Sequence, residues 1–248
     1  MSRLILSLDN LTTDQILYLL KEMSTLTDCN FPLWGMKVKP TTLIQVKDLA
    51  AIITEYYGLK LMVDAKLYDT PQAMEDQLHE YVELRADLVT VHMSAQFTPE
   101  DKTLLNNLVG VTVLTTFDDS DCQEVYDCTV DDCVDNFATD AIRWNYKNIV
   151  CSAKDLKILK GVENVFGTPL SKICPGIRPA WYSVKDDQKR RMTPGAAIRA
   201  GADLLVIGRP FLQFIDDPEK MLQAIYKTIE EYEPVLKELT EEKRDNEG

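Results

Sequence analysis

Short apolar runs alternate with longer amphipathic stretches along most of the chain. The runs are bounded by polar or turn residues, a pattern typical of buried β-strands. The stretches between them place apolar residues at helical spacing, as in 14–23 and 43–57. This pattern predicts eight strands, at roughly 4–8, 33–38, 60–64, 88–92, 110–115, 148–151, 171–174 and 204–208.

Near-continuous apolar strands separated by helices indicate a parallel sheet that helices cover from outside. Eight such units within 248 residues fit a single-domain (β/α)8 TIM barrel. An open doubly wound sheet is the structural alternative. The long interval 118–145 is expected to hold two helices, and helix starts are marked at Thr41-Thr42, Asp119-Ser120 and Thr193-Pro194.

The chain contains no Pro/Gly/Ser-rich linker, repeat or low-complexity tract, so one domain spanning 1–248 is expected. Within it, 240–248 is predicted to be a frayed, acidic tail after the last helix. The N-terminal apolar run is short and broken by Asp9, and no stretch approaches the roughly 20 apolar residues of a membrane-spanning helix. We therefore predict a cytoplasmic protein without a signal peptide or a membrane span.

Charge and cysteine content narrow the possible ligands. The net charge of −13 argues against binding to nucleic acid or to an anionic membrane surface, because both require clustered positive charge. The chain has only two histidines, and its cysteines lack the paired two-residue spacing of a zinc site, so no metal site is predicted. Reduced, mostly buried thiols are expected at the six cysteines, which are Cys29, Cys122, Cys128, Cys133, Cys151 and Cys174.

Polar residues follow every predicted strand. In a parallel barrel the functional groups gather at the carboxyl ends of the strands, so these residues should share one mouth. His92 is interpreted as a satisfied histidine of this mouth rather than a catalytic one. The residues that follow the strands are Asp9, Lys37, Asp64, Lys66, His92, Thr115, Thr116, Ser152, Arg178, Gly208 and Arg209.

Four of the charged residues, Lys37, Asp64, Lys66 and Asp69, alternate in sign. Opposite unit charges about 4 Å apart attract by about 4 kcal/mol at an effective dielectric of ~20, which would keep both lysines protonated and both carboxylates ionised. A protonated lysine can stabilise a developing carbanion and deliver a proton to it. A nearby carboxylate would repel an anionic substrate group until that group departs as CO2. The alternative is a structural salt-bridge network.

The last two strands end in a pattern typical of a phosphate site. Gly176 follows the seventh strand, and Gly208-Arg209 follows the eighth. TIM barrels often bind phosphate with the loops after these strands, and an arginine can contact two oxyanion oxygens at once. A tight turn with a surface ion pair is the alternative for Gly208-Arg209.

Five segments of the chain form a distinctive set. They are 64–69 (DAKLYD), 112–116 (TVLTT), 150–153 (VCSA), 174–179 (CPGIRP) and 186–194 (DDQKRRMTP). Together they give the chain a resemblance to the orotidine 5'-monophosphate decarboxylases, and the similarity runs from Leu4 to Pro210, nearly the whole chain. The element Asp-x-Lys-x-x-Asp alone is also found in sugar-phosphate enzymes of the same superfamily, so the specificity comes from the set.

The resemblance implies a cofactor-free and metal-free decarboxylation of orotidine monophosphate to uridine monophosphate, the last step of de novo pyrimidine synthesis. Lys66 would protonate C6 as CO2 leaves, Asp64 would press on the substrate carboxylate, and Lys37 would hold Asp64 and a ribose hydroxyl. Asp69 would reach into the neighbouring subunit's site, which implies a homodimer with shared active sites. The residues expected to bind the substrate are Asp9, Thr70, Thr116, Arg178, Gln188, Gly208 and Arg209.

Three positions depart from the family pattern. Lys39 replaces a usual Gly, Thr70 a usual Ile, and Ala73 a usual Thr that helps to bind the ribose. These departures keep open a non-catalytic nucleotide-binding barrel as one alternative function. A magnesium-dependent sugar-phosphate decarboxylase of the same superfamily is the other, although such enzymes usually carry a metal-binding Glu where this chain has Lys37.

Overall fold

The structure, a computed structural model, describes residues 2–183 and 191–247. Eight parallel strands pair in chain order, and β1 closes the barrel against β8. The predicted (β/α)8 TIM barrel is confirmed, and the open-sheet alternative is wrong. The strands are β1 (Leu4–Ser7), β2 (Gly35–Val38), β3 (Lys60–Leu67), β4 (Leu88–His92), β5 (Leu108–Val111), β6 (Asn148–Val150), β7 (Ser171–Cys174) and β8 (Leu204–Ile207).

Helices follow most of the strands and cover the barrel. The interval 118–145 holds two helices, as predicted, whereas the helix predicted over 43–57 is divided into three short pieces. The first break lies at 46–48, where Val46 is extended and Asp48 is left-handed with φ +58°, and the second piece continues without a gap into the third, where the helix becomes a π-helix. The helices are α1 (Thr13–Thr27), α2 (Pro40–Gln45), α3 (Leu49–Ala51), a π-helix (Ile52–Tyr56), α4 (Pro71–Glu83), α5 (Asp119–Tyr126), α6 (Val130–Arg143), α7 (Leu156–Phe166), α8 (Pro194–Ala200), α9 (Arg209–Leu212) and α10 (Pro218–Glu247).

The predicted helix starts are confirmed at two places of three. Thr193 caps α8 by accepting a hydrogen bond from the N–H of Ala196, and Pro194 occupies the first turn. Helix α5 begins at Asp119, as predicted, after the capping residue Asp118. The start predicted at Thr41-Thr42 is wrong, because Pro40 already lies in the first turn of α2.

The end of the chain also differs from the prediction. Helix α10 continues to Glu247, so the frayed tail predicted for 240–248 is wrong for residues 240–247. Glu, Lys and Arg dominate this stretch and favour a helix even on a solvated surface. An ion pair between Arg199 of α8 and Glu238 ties the preceding turn of α10 to the barrel.

Two cysteines differ from the expected reduced state. Cys128, just before α6, forms a disulfide with Cys133 in its second turn. Reduced thiols were the wrong expectation for this pair, because sequence spacing did not show that the turn before α6 brings the two residues together. The other four cysteines lie outside this disulfide, with Cys29 exposed and Cys122, Cys151 and Cys174 buried. In the part of the chain that the structure describes, no helix is long and apolar enough to cross a bilayer.

Apolar side chains fill the barrel below its mouth. These residues form an interior cluster that is separate from the larger core between barrel and helices. Two of its members, Met62 and Val206, also line the cavity at the mouth, so the interior cluster is the floor of that cavity. The interior cluster consists of Ile5, Met62, Leu88, Val109, Ile173, Leu204 and Val206.

Candidate active site

A cavity of about 310 Å³ lies at the carboxyl ends of the strands. Its volume is that of a site for a small organic ligand. Carboxylates and lysines of β2, β3 and the residues after β1 line it, and so do arginines that follow β7 and β8. The charged lining residues are Asp9, Lys37, Asp64, Lys66, Arg178 and Arg209.

Four of these residues form a continuous chain of alternating charge. The Nζ of Lys37 lies 2.7 Å from Oδ2 of Asp9 and 2.8 Å from Oδ2 of Asp64. The Nζ of Lys66 lies 2.6 Å from Oδ1 of Asp64. Asp64 is therefore held between two ammonium groups, and we call these four residues the charge array. It contains three of the four residues predicted as catalytic, together with Asp9.

Asp69, the fourth predicted catalytic residue, lies outside the charge array. Its side chain is exposed, does not line the cavity, and accepts a hydrogen bond from the N–H of Thr70 at 2.7 Å. Within the described part of the chain, the structure therefore does not bring Asp69 to the other three.

Mutual pairing fixes the charge states in the buried part of the array. Burial alone would raise the pKa of Asp64, but the ammonium groups of Lys37 and Lys66 outweigh it and lower that pKa to about 2. Burial alone would lower the pKa of Lys37, but the carboxylates of Asp64 and Asp9 outweigh it and raise that pKa. Asp64 is therefore a carboxylate and Lys37 an ammonium ion at neutral pH.

A bulge in β3 aims Lys66 at Asp64. The strand continues to Leu67, beyond the predicted end at 64, and its register against β4 shifts between Val63 and Leu67. Within the shift, Lys66 has a left-handed backbone with φ +46°. Such a conformation costs about 1–3 kcal/mol for a non-glycine residue and persists only where surrounding contacts enforce it.

Thr90 supplies those contacts, and the sequence analysis missed it. Its hydroxyl accepts a hydrogen bond from the N–H of Lys66 at 2.8 Å and donates one to Oδ1 of Asp64 at 3.1 Å. Thr90 is fully buried on β4. Thr90 lies within an apolar strand, so the sequence pattern indicated a core residue. The signal that could have identified it is a hydroxyl residue in the strand that neighbours one ending in charged residues.

The predicted phosphate-binding residues Gly208, Arg209 and Arg178 all line the cavity, together with Gly176. A Cβ on Gly208 would lie 3.3 Å from Cβ of Ser7, so the absence of a side chain allows this turn to pack closely on β1. Gly176 has a left-handed backbone with φ +77°, which glycine adopts without strain.

Other predicted residues have different surroundings. Thr116 does not line the cavity, whereas its neighbour Thr115 does. Thr70 is exposed and caps α4 by accepting a hydrogen bond from the N–H of Ala73 at 3.4 Å. Gln188 lies outside the described residues. Lys39, at the rim, donates to Oδ1 of Asn10 at 3.3 Å.

His92 has the surroundings of a satisfied histidine, as predicted. Its Nδ1 lies 2.6 Å from the hydroxyl of Ser94, and its ring packs among those of Tyr68, Tyr126 and Phe137. Burial and the charge of Lys66 lower its pKa, which favours a neutral imidazole.

Known proteins are similar to this chain over most of its length. The model of the orotidine 5'-phosphate decarboxylase / HUMPS family matches residues 2–225. The orotidine 5'-phosphate decarboxylase of Desulfosudis oleivorans is 36% identical over 185 residues, covering 70% of this chain and 73% of the relative. That of Afipia carboxidovorans is 38% identical over 178 residues, covering 69% and 73%. The chain belongs to the orotidine 5'-phosphate decarboxylase family.

A solved structure shows the same fold. The crystal structure of orotidine 5'-phosphate decarboxylase from Lactobacillus acidophilus superposes with a TM-score of 0.66 at 20% identity, covering 92% of this chain and 99% of that one. Family membership confirms the resemblance drawn from the five segments. The charge array lies within the 2–225 match, on β1, β2 and β3 and the residues that follow them.

Proposed function

We propose that the chain decarboxylates orotidine 5'-monophosphate to uridine 5'-monophosphate in pyrimidine biosynthesis, and that the charge array does so without a cofactor. The observation that carries the proposal is the position of Asp64, a buried carboxylate fixed between the ammonium groups of Lys37 and Lys66. Family membership and the named relatives support the substrate.

The chemistry follows from the charges. A substrate carboxylate placed beside Asp64 meets a second negative charge, and this repulsion ends when the C6–carboxylate bond breaks and CO2 departs. The electron pair of that bond stays on C6, where the Lys66 ammonium stabilises it and then transfers a proton to it. Lys37 keeps Asp64 ionised and in place throughout.

The other lining residues account for binding. Oδ1 of Asp9 is buried and has no hydrogen-bond partner among the described residues, so it suits a ribose hydroxyl as donor. Arg178, Arg209 and the backbone at Gly208 would hold the phosphate, since arginine contacts oxyanions through two N–H groups. Gln188 toward the phosphate, Thr116 toward the pyrimidine edge and Thr70 remain proposals from the family resemblance.

Lys66→Ala tests the assignment of the proton donor. The variant should lose turnover of orotidine monophosphate while still binding uridine monophosphate, because the phosphate and ribose contacts remain. Turnover by stopped assay and binding by calorimetry measure the two properties separately. Retained turnover would assign the proton to another group, and loss of both properties would mean that Lys66 supports the fold of the site rather than its chemistry.

We further propose a homodimer in which Asp69 acts in the partner's site. The exposure of Asp69, and of two apolar side chains, Ile44 at 84% and Tyr68 at 69%, supports a surface that a partner covers. The predicted cytoplasmic location remains a prediction.

Mixing two inactive variants tests the shared site. A heterodimer of Lys66→Ala with Asp69→Asn would carry one doubly altered site and one unaltered site, so free reassortment should restore about a quarter of wild-type activity. If Asp69 acts within its own subunit, every site keeps one substitution and no activity returns. Sedimentation of the unmixed variants controls for dimer formation.

A further inference from the structure

Ala180 and Trp181, which lie shortly after Arg178, pack on helices, and Trp181 is at the centre of this packing. The Trp181 ring lies 6.2 Å from that of Phe211 in a stacked arrangement and 6.3 Å from that of Phe214. Phe211 belongs to α9, the short helix that begins with Arg209. Trp181 therefore touches the element that carries one cavity arginine and lies three residues from the other.

Helix α10 accepts a hydrogen bond from this tryptophan. The indole N–H of Trp181 donates to the hydroxyl of Thr228 at 3.2 Å. Thr228 is fully buried, and its own O–H donates to the carbonyl of Ala224 at 2.8 Å, which leaves its oxygen free to accept. One residue earlier, the N–H of Ala180 donates to the carboxylate of Glu231 at 3.0 and 3.1 Å.

Residues that come later in the chain also lie near this turn of α10. Met192 is joined to Arg178, whose N–H donates to its carbonyl at 2.9 Å. Helix α8 follows, and a Cβ on its Gly195 would lie only 2.7 Å from the carbonyl oxygen of Glu231. Glu231 thus binds Ala180 with its side chain, and its backbone packs closely on Gly195 of α8.

We propose that Trp181, anchored to α10 through Thr228 and Glu231, is a positioning residue that sets the placement of Arg178 relative to Arg209. The inference rests on the proposed role of these arginines in binding the substrate phosphate. Trp181 does not line the cavity, so it acts through the arginines and not on the substrate.

The physical reason is the geometry that a bidentate contact requires. Two guanidinium groups bind one phosphate together only when both are held at the right separation. If either side chain is mobile before binding, the conformational entropy that it loses on binding weakens the affinity. A ring wedged against α9 and hydrogen-bonded to α10 removes that freedom before the ligand arrives.

Thr228→Val tests the anchor with little change in volume, and Trp181→Phe tests it with loss of one ring of the indole. Each removes the indole-to-hydroxyl bond, and each should lower kcat/KM for orotidine monophosphate about three- to tenfold, mainly by raising KM. The nucleoside orotidine, which lacks the phosphate, should keep its kcat/KM within about twofold. Trp144→Phe, the same change at the end of α6, is the matched control and should alter neither value.

The double variant sharpens the test. Because both substitutions remove the same bond, adding Thr228→Val to Trp181→Phe should cause no loss beyond that of Trp181→Phe alone. Multiplied losses, an equal loss with orotidine, or no loss in the single variants would overturn the inference. Thermal midpoints of all variants show whether the fold itself is affected.

Arg209→Ala separates this inference from the role on which it rests. A loss confined to the phosphorylated substrate would support the phosphate role, and an unchanged Trp181→Phe beside it would overturn the anchor alone. An Arg209→Ala variant that affects both substrates equally would contradict the phosphate site, and the anchor with it.

Discussion

The floor and the mouth of the barrel cavity are stabilised by different kinds of contact. The floor is the interior cluster of seven apolar side chains, which stabilise it through buried area and volume. At the mouth, contacts of 2.6 to 2.8 Å link the four members of the charge array, and each charge is kept by its neighbour. A volume-conserving substitution should therefore be tolerated at the floor, whereas removal of one charge should disturb the whole mouth.

The largest effect is expected for Lys37→Ala. Its loss leaves Asp9 and Asp64 facing each other without the buried ammonium between them, which should lower the free energy of unfolding by about 3–5 kcal/mol and abolish turnover. Lys60→Ala is the matched control. Lys60 is exposed and pairs with Asp87 at 2.7 Å, so its loss should cost under about 1 kcal/mol. Equal costs in urea titrations would mean that burial of the array adds nothing.

At the floor, Ile173→Ala should lower the free energy of unfolding by about 3 kcal/mol, because a cavity replaces a fully buried side chain. Its kcat should stay close to that of the wild type. Urea titration and steady-state kinetics on one preparation measure both properties. A large fall in kcat with little loss of stability would show that floor and mouth are not separable in the way proposed.

Asp64→Asn should change how stability depends on pH. The pKa of Asp64 is lowered from 3.8 to about 2 in the folded state, so its carboxylate stabilises the fold above pH 3.8 and this contribution is lost as pH falls through about 2. The loss is on the order of 2 kcal/mol. The free energy of unfolding of Asp64→Asn, measured at about pH 5 and about pH 2.5, should therefore fall less than that of the wild type. Parallel decreases would contradict the assigned pairing.

The smallest effect is expected for Thr90→Val, which removes the hydroxyl between Asp64 and the Lys66 backbone while keeping the volume. Loss of these hydrogen bonds should reduce kcat about tenfold, with KM little changed. Thr90→Ser keeps the hydroxyl and should retain most of the activity. If serine and valine behave alike, the hydroxyl has no part in placing Lys66.

The fold was predictable because it depends on pattern. Eight apolar runs separated by helical segments predicted all eight strands, and the main error was β5, which lies at 108–111 instead of 110–115. That error arose because Thr112 and Val113 stay buried after the strand has ended. The spacing of apolar residues predicts burial well, but it predicts poorly which residue makes the last hydrogen bond of a strand.

The site was predictable only in part, because some of its contacts join residues that are distant in sequence. Position after a strand was enough to predict Asp9, Lys37, Asp64 and Lys66 at one mouth. It could not show the left-handed backbone of Lys66, which depends on a register shift against β4. Nor could it show the Cys128–Cys133 disulfide.

The most direct test of the central claim is the loss of orotidine monophosphate absorbance after addition of purified protein treated with EDTA, with Lys66→Ala alongside. We predict rapid loss with the wild type and none with the variant, because the charge array supplies both the repulsion and the proton. No loss with the wild type, followed by activity on a keto-sugar phosphate once magnesium is restored, would contradict the account and place the chain with the metal-dependent relatives.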